Sequence, residues 1–468
     1  MKLLTNWENI YNCIAKLARF VNDIAKDHDY ISYTTAEIVP PNSYSCLDEI
    51  LDKQLNGKLY TPSGTITINS DNFELISELV VSATDELIKR SNLQEIFIFM
   101  QILDKVLFKN LLIESWKEEL GEAQYLNSNQ KETKIGILPY YHCGWDLSSE
   151  RFNRSHDLNV FIDNFLIINL DNLKDISVKN IFIDSNIQLN KSNLKIGLSP
   201  LWRWINFKFR NEVENGKKVI NIEYCSNSEK ENDIIGKTID KATEEKVDIL
   251  LFPEMLGNNE MSKSIRNKLI KSRPEYPQII VLPSIWNNGT NKSRVIDRYG
   301  LEIFEQGKRT PFIDKDFFCE NLAPYNELNV MHIKGFGRIL VMICRDFLEV
   351  DSLQQILNEL RPTIILVPSF STGYHDFNRV KGICEGHECV VVWVNSCADR
   401  KDNDPFGFID KAGHSFLSES DRLIVFPSNK NIEETCNKCD ERCEHTVCLY
   451  TGTLRNPRAI NLEDDYDG

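Results

Sequence analysis

The stretch Ile339 to Val350, ILVMICRDFLEV, sets a cysteine at the end of an apolar run and follows it at once with an arginine and an aspartate. A free thiol titrates near about 8.5 and needs a neighbouring base or cation to serve as a nucleophile at neutral pH. Two charged residues stand at comparable places. Glu254 comes just after the buried-strand pattern VDILLFP, and Lys308 leaves the strand-and-loop region EIFEQG shortly before Pro311. A thiol, a carboxylate to take its proton and a cation to meet developing negative charge make up the parts of nucleophilic catalysis. Each residue alone has a plainer reading: Cys344 as a small buried hydrophobe, Glu254 as a solvated loop carboxylate, Lys308 as a surface lysine.

The elements that must position them begin after about Lys195, where short apolar strands alternate with helix-length segments in the manner of an α/β domain. KKVINIEYC reads as a strand, NDIIGKTIDKATEEK as an amphipathic helix, VDILLFPE and PQIIVLPSIW as buried strands, and GRILVMI as a further strand with Cys344 at its tip. Asp351 to Leu360 predicts the next helix, so the thiol falls in a strand-to-helix turn, which exposes one side chain and aims N–H groups at it. Upstream, Trp7, Ile10, Tyr11, Ile14, Leu17, Ala18, Val21 and Ile24 recur at helical steps, with Thr5 and Glu8 as a capping box. Segments Asp71 to Arg90 and Leu93 to Leu120 carry the same period, and a short strand-like TITI precedes them. The expected division is a helical accessory domain over 1–125, a connecting or edge segment over 126–194 and an α/β domain over 195–460.

LLFPE, GKRTPF and MICRDF, in this order and each at a strand end, resemble the three signatures of the nitrilase, or carbon–nitrogen hydrolase, superfamily. RPTIILVPSFSTGYHDF resembles that family's strand after the nucleophile, and ICEGHECVVVWVNSC its later helix and strand ending in asparagine, here Asn395. The resemblance covers roughly Lys195 to Arg455. It implies a four-layer αββα sandwich, here preceded by a small mainly helical domain, and a Glu254–Lys308–Cys344 triad that uses no metal or other cofactor. It also implies a small-molecule amide, ureido or nitrile substrate, attack by Cys344 and a thioester-type intermediate. Lys308 and the backbone N–H of Arg345 are the expected stabilisers of the oxyanion. Pairing of sandwich faces implies a homodimer or larger assembly.

Departures from the pattern matter for the substrate. Gln306 stands where an aromatic usually precedes the lysine by two residues, and Arg345 where an aromatic usually follows the cysteine. Arg345 is a candidate bidentate partner for a substrate carboxylate, or else pairs locally with Asp346 or Glu349. Many relatives carry a second glutamate between lysine and cysteine, and Asp316 and Glu320 compete for that place. Phe370, Tyr374 and Phe377 either line the pocket or pack in the core.

Composition narrows the partners. With 54 basic and 69 acidic residues the net charge is −15, a field that repels phosphate backbones and anionic lipid, so neither nucleic acid nor a membrane is expected. The opening MKLLTNWENI meets polar residues and Glu8 before a signal-peptide core can form, and no apolar run approaches the roughly 20 residues of a membrane span, which predicts a cytoplasmic protein. The 13 cysteines then read as reduced thiols. Near the end, Cys436, Cys439, Cys443, His445 and Cys448 form CNKCDERCEHTVC, either a closed structural zinc site or exposed thiols in a charged loop. His142 and Cys143 read as core or loop residues. A hydrolase is therefore expected, the other reading being a binding or assembly module that recruits a protein partner through its N-terminal domain.

Overall fold

A computed structural model describes residues 10, 12–21, 73–91, 93–106, 135–139, 159, 162, 165–173, 176–183, 187–189, 193–201, 207–224, 228–258, 260–333, 336–371, 373–387, 389–396, 407–410 and 449–455. The chain divides into two compact units, Met1–His142 with Asp146–Lys174, and Cys143–Trp145 with Asp175–Gly468.

In the first unit, helical residues 12–21 (α1), Phe73–Arg90 (α2) and Leu93–Val106 (α3) are joined by an antiparallel pair, Ile135–Pro139 (β1) and Phe165–Asn169 (β2). The helical period read from the sequence is what packs. Ile10, Ile14, Leu17 and Val21 enter one core with Leu87, Ile96, Phe99 and Leu103. Ile137, Phe165 and Ile167 enter it too, so a strand pair completes the helical cluster. Ser91, with φ 53°, makes the tight bend between α2 and α3. The Thr5–Glu8 box and the TITI strand lie outside the described residues.

The second unit carries the chemistry. Its strands are Ser177–Ile183 (β3), Asn193–Leu198 (β4), Phe207–Glu214 (β5), Lys217–Tyr224 (β6), Ile249–Leu251 (β7), Ile279–Val281 (β8), Ile285–Asn287 (β9), Thr290–Asp297 (β10) and Glu302–Gly307 (β11). They continue with Cys319–Glu320 (β12), Glu327–Ile333 (β13), Gly337–Val341 (β14), Ile364–Ser369 (β15), Val390–Asn395 (β16), Gly407–Asp410 (β17) and Tyr450–Arg455 (β18). Its helices are Ser228–Glu244 (α4), Met261–Ser272 (α5), Arg345–Leu348 (α6), Val350–Leu360 (α7) and His375–Glu385 (α8).

Two mixed sheets dominate. One runs β11-β10-β8-β7-β4-β18, with β9 paired to β10, and the other runs β17-β16-β15-β14-β13-β3. The central strands β4, β7 and β8 of the first, and β14, β15 and β16 of the second, are parallel. Parallel strands covered on both faces need continuous rather than alternating apolar side chains, and Ile249–Leu251, Ile279–Val281 and Ile364–Ser369 are buried throughout. On the first sheet, α4 and α5 place Ile235, Ile239, Ala242, Met261, Ile265 and Leu269 against Leu250, Ile280 and Ile296. Beside the second, α7 buries Leu353, Ile356 and Leu360, while Phe377 of α8 stacks on Trp393 of β16 and on Phe347.

Side chains tie the two sheets together. Gln306 on β11 donates to the Glu327 carbonyl at 2.9 Å and accepts from the Asn329 N–H at 3.0 Å on β13. A buried amide thus does the joining. The Glu254 N–H donates to the Ser369 carbonyl at 3.3 Å, which brings the ends of β7 and β15 side by side. A third sheet, β12-β6-β5, stands apart from both. Its β5–β6 hairpin turns at Asn215–Gly216, and a second hairpin, β9–β10, turns at Asn288–Gly289. All four turn residues have positive φ, which is why Asn-Gly serves there. Among the described residues no helix is long and apolar enough to cross a membrane.

Candidate active site

Three chain segments converge where strands end. Pro253 follows β7 and cannot extend its ladder, and Glu254 comes next, 1% exposed. Lys308 follows β11 directly and is 2% exposed. Its backbone N–H donates to the Asn291 carbonyl on β10 at 2.8 Å. Gly307 before it is required by close approach, since a β-carbon there would collide with the ring of Tyr325. Beyond β14, Cys344 occupies the N-cap position of α6 with φ 49° and ψ −105°. A non-glycine residue held there costs about 1–3 kcal/mol, and such strain clusters at functional sites. The Cys344 N–H donates to the Pro368 carbonyl at 2.9 Å, which pins the turn to the neighbouring strand end.

The side chains form one buried group. Lys308 Nζ lies 2.9 Å from Glu254 Oε1 and 2.7 Å from Glu320 Oε2. Glu254 Oε1 also accepts from Asn291 Nδ2 at 2.8 Å, and its Oε2 accepts from the Phe370 N–H at 3.0 Å. Glu320 Oε2 accepts a second bond, from the Phe312 N–H at 2.8 Å. Charges taken out of water are tolerable only when paired and hydrogen-bonded, and this set is both.

The electrostatics follow from burial. Burial alone disfavours the Lys308 charge, but the Glu254 and Glu320 carboxylates outweigh it and hold the ammonium well above its usual range. Burial also raises Glu320, helped by the Glu254 charge and opposed by Lys308. At Cys344, burial and then the Glu254 charge push the thiol up, while Lys308 pulls the other way. At rest Cys344 is therefore a protonated thiol rather than a free thiolate. Its sulfur lies 4.0 Å from the Phe370 carbonyl.

Of the two acidic residues that compete beside the lysine, the structure brings Glu320 into the group and leaves Asp316 exposed in a turn, its N–H on Asp314 Oδ1. Arg345 pairs with Glu349 at 2.8 Å, one helical turn on, and is exposed. Asp346 is buried. It accepts N–H bonds from Arg309 and Thr310 at 2.7–3.0 Å and so ties the loop after Lys308 to the Cys344 turn, while burial lifts its carboxyl to about 6. Phe370 borders the sulfur through its backbone, Tyr374 stacks on His375, and Phe377 belongs to the aromatic core. Asn395 holds the 369–371 loop, accepting from the Ser371 N–H at 2.9 Å and donating to the Ser371 carbonyl at 2.7 Å.

Sequence reasoning missed Asn291. The signal was present: β10 alternates, with Asn291, Ser293 and Val295 on the buried face, and a polar residue on a buried face needs a partner. Cys436, Cys439, Cys443, His445, Cys448, His142 and Cys143 lie outside the described residues. Among the described residues no group of three metal-ligating side chains is arranged to hold an ion.

No protein-family model matches the sequence, and no curated protein matches it. Solved structures do. An amidase from Nesterenkonia sp. is 11% identical and covers 59% of this chain and 98% of its own, with a TM-score of 0.36. The C. elegans NitFhit protein is 14% identical over 58% of this chain and 63% of its own, with a TM-score of 0.37. Saccharomyces cerevisiae Nit3, a member of branch 10 of the nitrilase superfamily, is 11% identical over 59% of this chain and 94% of its own, also at 0.37. Over about 59% of its length, then, this chain is similar to structures of nitrilase-superfamily proteins.

Proposed function

We propose that the second unit is a four-layer αββα sandwich and a cysteine-dependent hydrolase of a non-peptide carbon–nitrogen bond in an amide, ureido or nitrile substrate. The observation that carries this reading is the buried Glu254–Lys308–Glu320 group set against a strained Cys344 turn. Glu254 takes the Sγ proton as the sulfur attacks the substrate carbon, and the electron pair moves onto the carbonyl oxygen or nitrile nitrogen. Lys308 and the Arg345 N–H, at the first position of α6 where it has no intrahelical acceptor, meet that charge. With an amide, collapse breaks the carbon–nitrogen bond, Glu254 returns its proton to the departing amine, and a thioester remains. Water, deprotonated by Glu254, then attacks the thioester, and the thiol is re-formed as the acid leaves. A nitrile gives a thioimidate at the first step. Glu320 sits on the far side of Lys308 and holds the ammonium charged and aimed.

The test is selective labelling joined to substrate discovery. Iodoacetamide should alkylate Cys344 at least about tenfold faster than the other described cysteines, Cys13, Cys319, Cys384 and Cys389, as expected for a thiol beside a buried base and a buried cation. Ammonia release from a panel of simple amides and nitriles should disappear in Cys344→Ser. Uniform labelling, together with no turnover that depends on Cys344, overturns the reading in favour of a binding module.

A further inference from the structure

Asn291 joins two members of the proposed catalytic group without belonging to the triad. Its side chain donates to Glu254 Oε1 at 2.8 Å, and its backbone carbonyl accepts the Lys308 N–H at 2.8 Å. The residue is 1% exposed, and its own Oδ1 is buried with no hydrogen-bond partner. Leaving a buried acceptor unmade is costly, and a side chain kept for stability alone would satisfy both ends. What the arrangement secures is an asymmetry in Glu254. Oε1 accepts two side-chain donors, Lys308 and Asn291, whereas Oε2 accepts only the Phe370 N–H.

On the reading of the site given above, we propose that Asn291 is a positioning residue that occupies Glu254 Oε1, so that Oε2 is the oxygen that receives the Cys344 proton. With Oε1 held by two donors, the carboxylate cannot rotate, and its free lone pair lies on the oxygen beside Phe370. That residue's carbonyl in turn borders the sulfur, 4.0 Å away.

The experiment uses the full chain and iodoacetamide as probe. In the reaction the sulfur–carbon bond forms, iodide leaves with the carbon–iodine pair, and the thiol proton passes to Glu254. The second-order rate at Cys344 is followed by peptide mass spectrometry from about pH 5 to 10. Asn291→Leu keeps the branched shape and removes both the donor and the unpartnered acceptor; Asn291→Ala is the second variant in case the bulkier leucine packs badly. The expected result is a Cys344 labelling rate at least about tenfold lower across the range, with the melting temperature of Asn291→Leu at or above wild type. A purely structural role would lower the melting temperature and leave the labelling rate in place. A labelling rate within about twofold of wild type in a folded variant overturns the proposal, and so does failure of both variants to fold. Absence of selective Cys344 labelling in the wild-type protein would instead remove the catalytic reading beneath it.

Discussion

The floor of the site and the surface around it are built by different rules. On the floor, Glu254, Lys308, Glu320 and Cys344 are at most 6% exposed, and their polar groups are partnered. Around it, the β5–β6 hairpin and the 311–318 loop expose Phe209, Val213, Phe312, Ile313 and Phe317, the last at 78%. The two regions are continuous. The Phe312 N–H is a donor to Glu320 while its ring faces outward, and the Phe209 ring sits 6.1 Å from that of Phe370. A buried charged group tolerates one arrangement, because losing any partner strands a charge. The apolar rim has no such constraint, so it is free to differ while the floor stays the same. On the function proposed above, the first region carries the chemistry and the second the selection among substrates.

The hardest blow to the comparison is to remove the cation. Lys308→Met leaves Glu254 and Glu320 buried face to face, which costs about 3–5 kcal/mol of unfolding free energy at neutral pH. Glu320, which burial and the Glu254 charge already raise, relieves this by keeping a proton, so its folded-state pKa rises further above the unfolded value. The loss should therefore be smallest below the carboxylate range and grow as pH rises through it. Adding Glu320→Gln should recover most of the stability and none of the Cys344 reactivity. Phe317→Ser on the rim should stay within about 0.5 kcal/mol. Urea unfolding of the four proteins at two pH values checks this. A rim substitution as damaging as Lys308→Met would erase the distinction between the regions.

A finer cut separates the nucleophile's charge from its activation. Glu254→Gln removes the second largest influence that raises Cys344, after burial, and leaves Lys308 to pull the thiol down. The thiolate ultraviolet absorbance, measured against a Cys344→Ser background, should therefore titrate at lower pH than in wild type. Turnover should nevertheless vanish, because a more ionised sulfur cannot replace the base that the leaving amine and the water require. Thiolate titration moving upward in Glu254→Gln would mean that the two side chains do not share a proton in the way the floor suggests.

The floor was far more legible in the sequence than the rim. Short apolar strands of the second unit end in LLFPE, QGK and VMIC, so strand ends and candidate side chains could be read together, and β7, β11 and β14 stop within a few residues of them. The choice between Asp316 and Glu320 was not legible. It depends on β12 pairing with β6, Cys319 beside Val219 and Glu320 beside Ile220, a contact across about a hundred residues that no local pattern records. Arg345 was half legible, since its partner Glu349 is four residues on along a helix. The β5 strand carried a usable sign in Asn215–Gly216, the hairpin turn that precedes KKVINIEY, yet Asn211 interrupts the alternation of Phe207, Phe209 and Val213 that identifies strands.

The mildest change tests the rim by itself. Phe209 is half exposed, lies on β5, and its ring sits beside that of Phe370, whose backbone in turn serves Glu254 and borders the Cys344 sulfur. The hydrogen bonds of the Glu254, Lys308 and Glu320 side chains go to other residues, so removing the ring leaves them in place. Phe209→Ala should alter iodoacetamide labelling of Cys344 by less than about twofold, because so small a reagent needs only the thiol and its base. A bulky aromatic haloacetamide should respond differently. It gains affinity from apolar area at the rim, about 25 cal/mol per Å² covered, so loss of one face of contact slows its saturation by roughly three- to tenfold without changing the limiting rate. Measuring both reagents on both proteins isolates the effect, since a fall shared by the two reagents would place Phe209 in the support of the floor. If the bulky reagent alone is slowed, and only in its half-saturating concentration, then the hairpin governs which substrates arrive while Glu254, Lys308 and Cys344 govern what happens to them.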